Sequence, residues 1–292
     1  MESRQLRHFV EVAVQKSFTK AAQQLHIAQP AVSKSVKNLE DEIGIPLFAR
    51  EERTIQLTEE GKRLFVHATS ILNQMEQAVL EMEELKGLKT GRVRIGLPSM
   101  VGSFYFPEQF VAFKKKYPQL ELSIYEAGTT RIRDDIREGN IDLGTIVMDD
   151  ATKDLITHPF LREEMMVVVP ASHPFASLSS ISYDQLLTEP LVLFKEGYYQ
   201  RNIIHKIEQA TGRSPHIAFE TNQISMAKSL TRKGLGITIF LKMVISEDRD
   251  LVGIPFKIPF SLTLALSHKK GTYLSKANKA FLSFLVNQHV NH

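Results

Sequence analysis

The segment from residue 21 to residue 39 constrains the fold most, because it holds two short helical patterns separated by only three residues. It reads AAQQLHIAQPAVSKSVKNL. In the second pattern, Val32, Val36 and Leu39 fall within about 60° of one another on a helix. Lys34 and Lys37 project from the opposite side. A helix held against its predecessor by three apolar residues, with a basic outer face, predicts a helix-turn-helix.

The same residues also fit a small helical bundle whose lysines are merely solvated. The next segment, IGIPLFAREERTIQLT, favours the first interpretation because it predicts two short strands joined by a bend that contains Arg50 and Arg53. Arginines at such a bend would reach phosphates or a minor groove. Glu51 and Glu52 lie between them and can pair with one arginine instead. We predict a winged helix-turn-helix over residues 1–58.

A long helix is predicted next, over residues 59–90. Thr58 is suited to cap it, with two acids in its first turn, and Gly87 and Gly91 are expected to end it. Its apolar residues repeat at alternating intervals of four and three, the pattern of a coiled coil. They are Leu64, Ala68, Ile71, Met75, Ala78, Met82 and Leu85. Such a helix needs a partner, most simply a second copy of itself; the alternative is that it lies on its own domain.

Composition excludes some classes of protein. The absence of cysteine excludes disulfides, thiolate metal sites and a cysteine nucleophile. The net charge of +3 does not by itself indicate nucleic acid, but only Glu11 interrupts the basic residues between Arg4 and Lys37. We find no signal-peptide pattern and no apolar run of the roughly 18 residues that span a membrane. We therefore expect a cytoplasmic protein that does not associate with membranes.

The composition changes after Gly91. Short runs of branched apolar residues alternate with helical segments, which predicts an α/β domain with a largely parallel sheet over residues 91–292. The runs are RVRIGL, QLELSIYEA, NIDLGTIV, EEMMVVVP, PLVLF, PHIAFE, GLGITIF and SLTLALS.

Residues 1–65 resemble the N-terminal domain of the LysR-type transcriptional regulators. The matching residues are LRHFVEVAVQKSFTKAAQQLHIAQPAVSKSVKNLEDEIGIPLFAR and LTEEG, and the likeness continues in RVRIGLPS, IREGNIDLGTIV and KGLGITIF. The resemblance implies a homodimer or homotetramer that binds double-stranded DNA. It also implies an effector-binding domain like a periplasmic binding protein, with lobe I at about 91–161 and 267–292 and lobe II at about 162–266.

Carried over position by position, the resemblance places a recognition helix in the major groove and the wing beside it. Lysine acts there more as a point charge than the arginine or glutamine common at those positions, whereas Gln29 is able to make a bidentate contact to an adenine. The implied DNA-binding residues are Gln29, Pro30, Ser33, Lys34, Lys37, Arg50 and Arg53.

Hydroxyl residues follow two of the predicted strands, where open α/β sheets bind ligands. Helix N-termini there would suit a carboxylate, and the segment MVGSFYF carries no charge, so we expect no acid to compete with an anionic ligand. Alternatively, the hydroxyls only cap their helices, or the cleft accepts a neutral aromatic. The expected effector-binding residues are Ser99, Met100, Thr129 and Thr130, with Phe194 and Thr221 implied by the resemblance in the other lobe.

Catalytic motifs are not evident. GLGITI lacks the rest of a dinucleotide pattern, and the ten histidines show no metal-ligand spacing. His173 and His268 are expected in loops or at the surface. We expect no catalytic residue, metal or cofactor, but a sequence-specific DNA-binding transcriptional regulator modulated by a small organic anion. The alternative is a cytosolic ligand-binding protein or an enzyme built on the C-terminal α/β domain.

Overall fold

The structure, a computed structural model, describes residues 1–49, 55–85, 91–149 and 152–287. The chain divides into two compact units. One consists of residues 1–88 with 138–140, and the other of residues 89–137 and 141–292. No helix within these described ranges is both long enough and apolar enough to cross a membrane.

The first unit is mostly helical. Serine is a favoured capping residue, and Ser17 accepts a hydrogen bond from the Lys20 N–H at 3.3 Å where the second helix of the unit begins. Pro30 stands in the first turn of the third helix, where its missing N–H costs nothing. The elements in chain order are α1 (Ser3–Gln15), α2 (Phe18–Gln24), α3 (Gln29–Ile43), β1 (Phe48–Ala49), β2 (Gln56–Leu57) and α4 (Glu59–Leu85).

The core of this unit lies between α1, α2, α3 and the start of α4. The ring of Phe9 packs 5.4 Å from that of Phe48, which ties α1 to the wing. Along α1 the apolar residues Leu6, Val10 and Val14 recur at helical intervals, yet Val14 is 59% exposed, whereas Val12 is fully buried. The reason is that α1 contacts α2, α3 and α4 together, which moves its buried face toward Val12.

The wing and α4 meet at a close contact. Strands β1 and β2 pair antiparallel, with Phe48 opposite Leu57. Thr58 accepts a hydrogen bond from the Gly61 N–H at 2.9 Å, the predicted cap. A Cβ at Gly61 would lie 2.1 Å from the Leu47 carbonyl oxygen, so only glycine permits this approach.

The predicted heptad seam of α4 is divided between two environments. Leu64 and the fully buried Ala68 pack on the core of the first unit, so they are not free to pair with another helix as predicted. Further along, Ile71, Met75 and Met82 are 37%, 48% and 50% exposed. The core of the first unit therefore packs against the first turns of α4. Gly87, expected to end the helix, lies outside the described residues.

The second unit contains a six-stranded sheet in the order β4-β3-β5-β10-β6-β9 and a two-stranded sheet of β7 and β8. The strands are β3 (Gly91–Leu97), β4 (Leu120–Glu126), β5 (Leu143–Val147), β6 (Leu155–Pro170), β7 (Leu191–Leu193), β8 (Ile217–Glu220), β9 (Thr238–Leu241) and β10 (Leu251–Lys269). The helices are α5 (Ser99–Phe104), α6 (Phe106–Lys116), α7 (Thr129–Glu138), α8 (Tyr183–Leu186), α9 (Tyr199–Thr211), α10 (Ile224–Arg232), α11 (Lys242–Ile245) and α12 (Lys276–Asn287).

The sheet is mixed rather than largely parallel. β3 pairs parallel with β4 and β5, and β7 with β8, as predicted. β6 and β10, however, are 16 and 19 residues long and pair antiparallel along most of their length. Both strands extend beyond the apolar runs that predicted them, because each pairs with two neighbours: β10 with β5 and β6, and β6 with β10 and β9. α12 returns to pack on β3.

The length of β10 also changes the position of His268, which was expected at the surface or in a loop. His268 is a strand residue, buried, with its ring stacked 5.6 Å from that of His158 on β6. Residues 156–158 and 266–268 are paired along the ladder, which brings the two rings together.

Candidate DNA-binding and effector-binding sites

The outer face of α3 carries the residues predicted to contact DNA. Val32, Val36 and Leu39 are buried against the first unit, which turns the opposite side of the helix outward. On that side Lys34 and Lys37 are exposed, and within the described part of the chain neither is in an ion pair. Gln29 and Pro30 are also exposed, and Ser33 is half-buried.

Gln29 and Ser33 are linked on this face. The Gln29 Nε2 donates to the Ser33 Oγ at 2.8 Å, one helical turn away. The bond leaves the carbonyl oxygen and second amide hydrogen of Gln29 available, which are the groups that recognise an adenine. Arg50 and Arg53 lie outside the described residues, and the strands that flank them hold Ala49 opposite Gln56.

Two acids near the C-terminal end of α3 are engaged in contacts away from its outer face. The Glu40 carboxylate accepts hydrogen bonds from the N–H groups of Leu47 at 2.7 Å and Phe48 at 3.2 Å. Glu42 pairs with the N-terminal ammonium of Met1, which holds the pKa of that carboxyl below its usual range. The acidic run 40–42 is therefore partly structural.

In the second unit, four of the six residues predicted to bind an effector line one cavity. Ser99 and Met100 come from the start of α5, Thr129 from the start of α7, and Phe194 from the segment after β7. The rest of the lining is mostly apolar. It consists of Pro98, Val101, Val147, Met165, Tyr198, Tyr199, Gln200, Leu241, Leu262 and Leu264.

Thr130 and Thr221 do not line this cavity. The Thr130 N–H donates to the Gly197 carbonyl at 3.2 Å. The Thr221 N–H donates to the Leu193 carbonyl at 3.0 Å, and its hydroxyl accepts from the Gln223 N–H at 3.1 Å. Both residues therefore make hydrogen bonds that join separate segments of the backbone.

Ser99 has a partner that the sequence did not reveal. Its Oγ donates to the Glu126 Oε1 at 2.6 Å. β3 and β4 lie in register with Leu97 opposite Glu126, so the ends of both strands meet at this point. The expectation that no acid would compete with a ligand carboxylate at Ser99 was wrong. Capping is also not the role of Ser99, because Pro98 is the N-cap residue of α5.

Tyr198 and Gln200 complete this part of the cavity, and sequence reasoning missed both. Burial raises the pKa of the Tyr198 phenol, while its hydrogen bond with Ser99 acts in the opposite direction. The phenol is therefore protonated at neutral pH. The buried Gln200 accepts from the Phe194 N–H and donates to the Ile239 carbonyl at 2.5 Å. The signal for both was their place at the start of α9, the helix that follows β7, just as Ser99 starts the helix that follows β3.

A second, more polar cavity adjoins the first and shares Ser99 with it. One wall belongs to α5 and β4, and the other to the start of α10. Lys228 on that second wall donates to the Val244 carbonyl at 2.5 Å, pairs with Asp248 at 3.1 Å and lies 5.0 Å from the centre of the Phe104 ring. The lining residues are Ser99, Ser103, Phe104, Glu126, Asn222, Gln223, Ile224, Ser225 and Lys228.

Within the described ranges, no three His, Asp or Glu side chains come together in a way that could hold a metal ion. The chain thus contains a winged helix-turn-helix with a basic outer face, followed by a two-lobed α/β domain with two adjoining cavities. These features define a class of DNA-binding protein that responds to a small ligand.

Comparisons with known proteins specify the family. Residues 3–62 match the bacterial regulatory helix-turn-helix protein model of the lysR family, and residues 86–289 match the LysR substrate binding domain. The uncharacterized HTH-type transcriptional regulator YwbI of Bacillus subtilis is 34% identical, covering 97% of this chain and 95% of that protein. The transcriptional dual regulator GltC of the same organism is 30% identical, covering 98% and 97%.

Solved structures agree. A full-length OxyR variant from Pseudomonas aeruginosa matches with a TM-score of 0.70 and 25% identity over 98% of this chain and 94% of that one. CbnR matches in fold with a TM-score of 0.72 at 20% identity over 99% of each chain. The chain belongs to the LysR family. It is a DNA-binding transcriptional regulator with a ligand-binding domain, and its family and relatives are regulators rather than enzymes.

Proposed function

We propose that this regulator reads its operator through the outer face of α3 and the wing. Gln29, Pro30, Ser33, Lys34 and Lys37 would enter the major groove. Arg50 and Arg53 on the wing would contact the flanking backbone. The observation that carries the proposal is the pair of exposed lysines without an ion-pair partner in the described ranges, opposite the buried anchors of α3.

The salt dependence of DNA binding tests this assignment. Lys34→Ala should weaken binding and flatten the slope of log K against log salt by about one unit, because one phosphate contact is lost. Lys115→Ala is the matched control, since Lys115 is an exposed lysine on α6 in the other unit. Operator affinity and slope equal to those of the parent in Lys34→Ala would refute the assignment.

We propose that residues 1–58 act as the DNA-binding domain, residues 59–90 as a linker helix that pairs with another copy, and residues 91–292 as the effector-binding domain. Within the last, lobe I would comprise about 91–161 and 267–292, and lobe II about 162–266. The exposed apolar residues in the second half of α4 support the pairing. The assembly would be a homodimer or homotetramer that acts in the cytoplasm.

The proposed effector is a small organic anion held in the cavities of the second unit. Ser99, Met100, Thr129 and Phe194 would contact it directly, and Thr130 and Thr221 would hold the adjoining backbone in place. Because the Glu126 carboxylate accepts the hydrogen bond of the Ser99 hydroxyl, the effector carboxylate would lie on the side of the site away from Glu126. Ligand binding would shift the two lobes between states in proportion to its differential affinity.

A thermal-shift screen of the full chain against small organic acids tests this proposal. Once a ligand is found, Ser99→Ala should lower its affinity by roughly 1–3 kcal/mol if the hydroxyl helps to form the site. A variant that melts earlier but binds as tightly as the parent would show that Ser99 serves only the fold.

A further inference from the structure

The Glu126 carboxylate lines the polar cavity and forms no ion pair with any residue that the structure describes. Within the described part of the chain, its one side-chain partner is the hydroxyl of Ser99, at 2.6 Å. Glu121 on the same strand is different, since the Arg92 Nε donates to it at 2.9 Å. A carboxylate that faces a ligand cavity and has no ion-pair partner attracts a positively charged group.

The opposite wall of the same cavity is electropositive. Lys228 lines it and shares the Asp248 carboxylate with Arg232, whose Nη2 donates to both carboxylate oxygens at 2.9 and 2.8 Å. One carboxylate thus serves two cations. Asp250, which is largely exposed, lies 3.9 Å from Arg232 and compensates little of the remaining charge.

Asn222 adds a neutral donor to this wall. Its Oδ1 accepts from the Lys195 N–H at 3.2 Å, so its amide hydrogens are the groups left for a ligand. The wall formed by α10 and the residues before it therefore suits an anionic group, whereas the wall formed by β4 suits a cationic one.

The apolar cavity meets this polar one at Ser99. Val101, Leu241 and Leu262 are among the side chains that surround it, and they offer no charge. A ligand whose polar head lies between Glu126 and Lys228 would place an apolar group there.

We propose that the effector is a free amino acid with an apolar side chain. Its ammonium group binds Glu126, its carboxylate faces Lys228 and Asn222, and its side chain enters the apolar cavity. This rests on the proposed effector function, which places a ligand carboxylate in these cavities, and adds an ammonium group to that ligand. A simple carboxylic acid would leave the Glu126 carboxylate without a cation, and a simple amine would leave the donors of the α10 wall without a ligand anion.

Binding of matched compounds to the full chain tests the inference, by thermal shift and then calorimetry. The first arm contains L-leucine, L-valine, L-methionine and L-phenylalanine. The second contains the same skeletons without the amine, such as 4-methylpentanoate and 3-phenylpropanoate. The third contains them without the carboxylate, such as 3-methylbutylamine and 2-phenylethylamine. We expect binding in the first arm only.

The other outcomes separate this inference from the proposed function. An acid of the second arm that binds as tightly as its amino acid overturns the amino-acid inference but supports an organic-acid effector. An amine that binds as tightly overturns both. No binding in any arm also overturns the inference, and the wider screen of organic acids then decides whether the domain takes an acid of another kind.

Glu126→Gln sharpens the test because it removes the charge and keeps an oxygen that can accept from Ser99. Affinity for the amino acid should fall about tenfold or more, and affinity for the deaminated acid should rise. Glu121→Gln, on the same strand, should change neither. A Glu126→Gln protein that keeps the parent's affinity, or that loses affinity for both ligand types equally, would contradict direct recognition of the ammonium group.

Discussion

Replacing Glu40 by alanine should loosen the wing from the recognition helix. The Glu40 carboxylate accepts from the N–H groups of Leu47 at 2.7 Å and Phe48 at 3.2 Å, and both of those residues are buried. Hydrogen bonds to a charged acceptor contribute about 1.5–3 kcal/mol each, and a buried donor left without a partner is costly. Since Glu40 is itself half-buried, we expect the free energy of unfolding of the first unit to fall by roughly 2–4 kcal/mol.

Urea unfolding followed by far-ultraviolet circular dichroism measures the loss. Hydrogen exchange read by mass spectrometry should locate it at residues 45–49. Glu40→Gln keeps one neutral acceptor and should lose less than Glu40→Ala. Asp41→Ala is the control, because Asp41 is an exposed acid at the next position of α3. Operator affinity should fall with Glu40→Ala, since the wing no longer holds its position beside α3.

Two results would refute this reasoning. One is an unchanged urea midpoint in Glu40→Ala. The other is parental protection of the amides of Leu47 and Phe48 while stability falls by the same amount as in Asp41→Ala, which would mean that only the helix charge matters.

The remaining predictions concern α4 and the stacked pair of His158 and His268. Ile71→Glu places a charge among exposed apolar residues, so sedimentation should show a smaller assembly in which the single chain is still folded. Gln74→Glu on the same helix is the control and should leave the mass unchanged. An unchanged mass in Ile71→Glu would contradict pairing through α4. Gly61→Ala should lower the free energy of unfolding by about 1–3 kcal/mol in a thermal melt, because the new Cβ would lie 2.1 Å from the Leu47 carbonyl oxygen. Gly271→Ala is the comparison, since a Cβ there meets no neighbour but the residue has a φ of 77°, so it measures backbone strain without a clash. Burial lowers the pKa of His158 and of His268, so each ring takes up a proton less readily in the folded chain than in the unfolded chain. Their contribution to the free energy of unfolding is therefore complete above the unfolded pKa of about 6.5 and is lost as the pH falls from that value toward the folded pKa. His158→Gln should flatten this acid-side decline in the melting temperature, and a variant with the parent's pH profile would exclude the pair as its source.

The sequence by itself determined the local structure of the first unit. Ser17 and Thr58 cap the helices that they precede, and Val32 and Leu39 are buried in the recognition helix as their spacing predicted. These features depend on residues within one or two turns of each other, where a helical period of 3.6 residues fixes which side chains share a face.

The tertiary structure decided everything that depends on distant residues. Only the parallel register of β3 and β4 places Glu126 beside Ser99, 27 residues earlier in the chain, and this contact changes which ligand group the site accepts. Similarly, only the return of the chain to α3 gives Glu40 its partners at Leu47 and Phe48, and only the packing of α4 on the wing domain removes Ala68 from the predicted seam. A hydrophobic period states which face of an element is buried, but not which other element buries it, because strand register and helix packing are properties of pairs of segments.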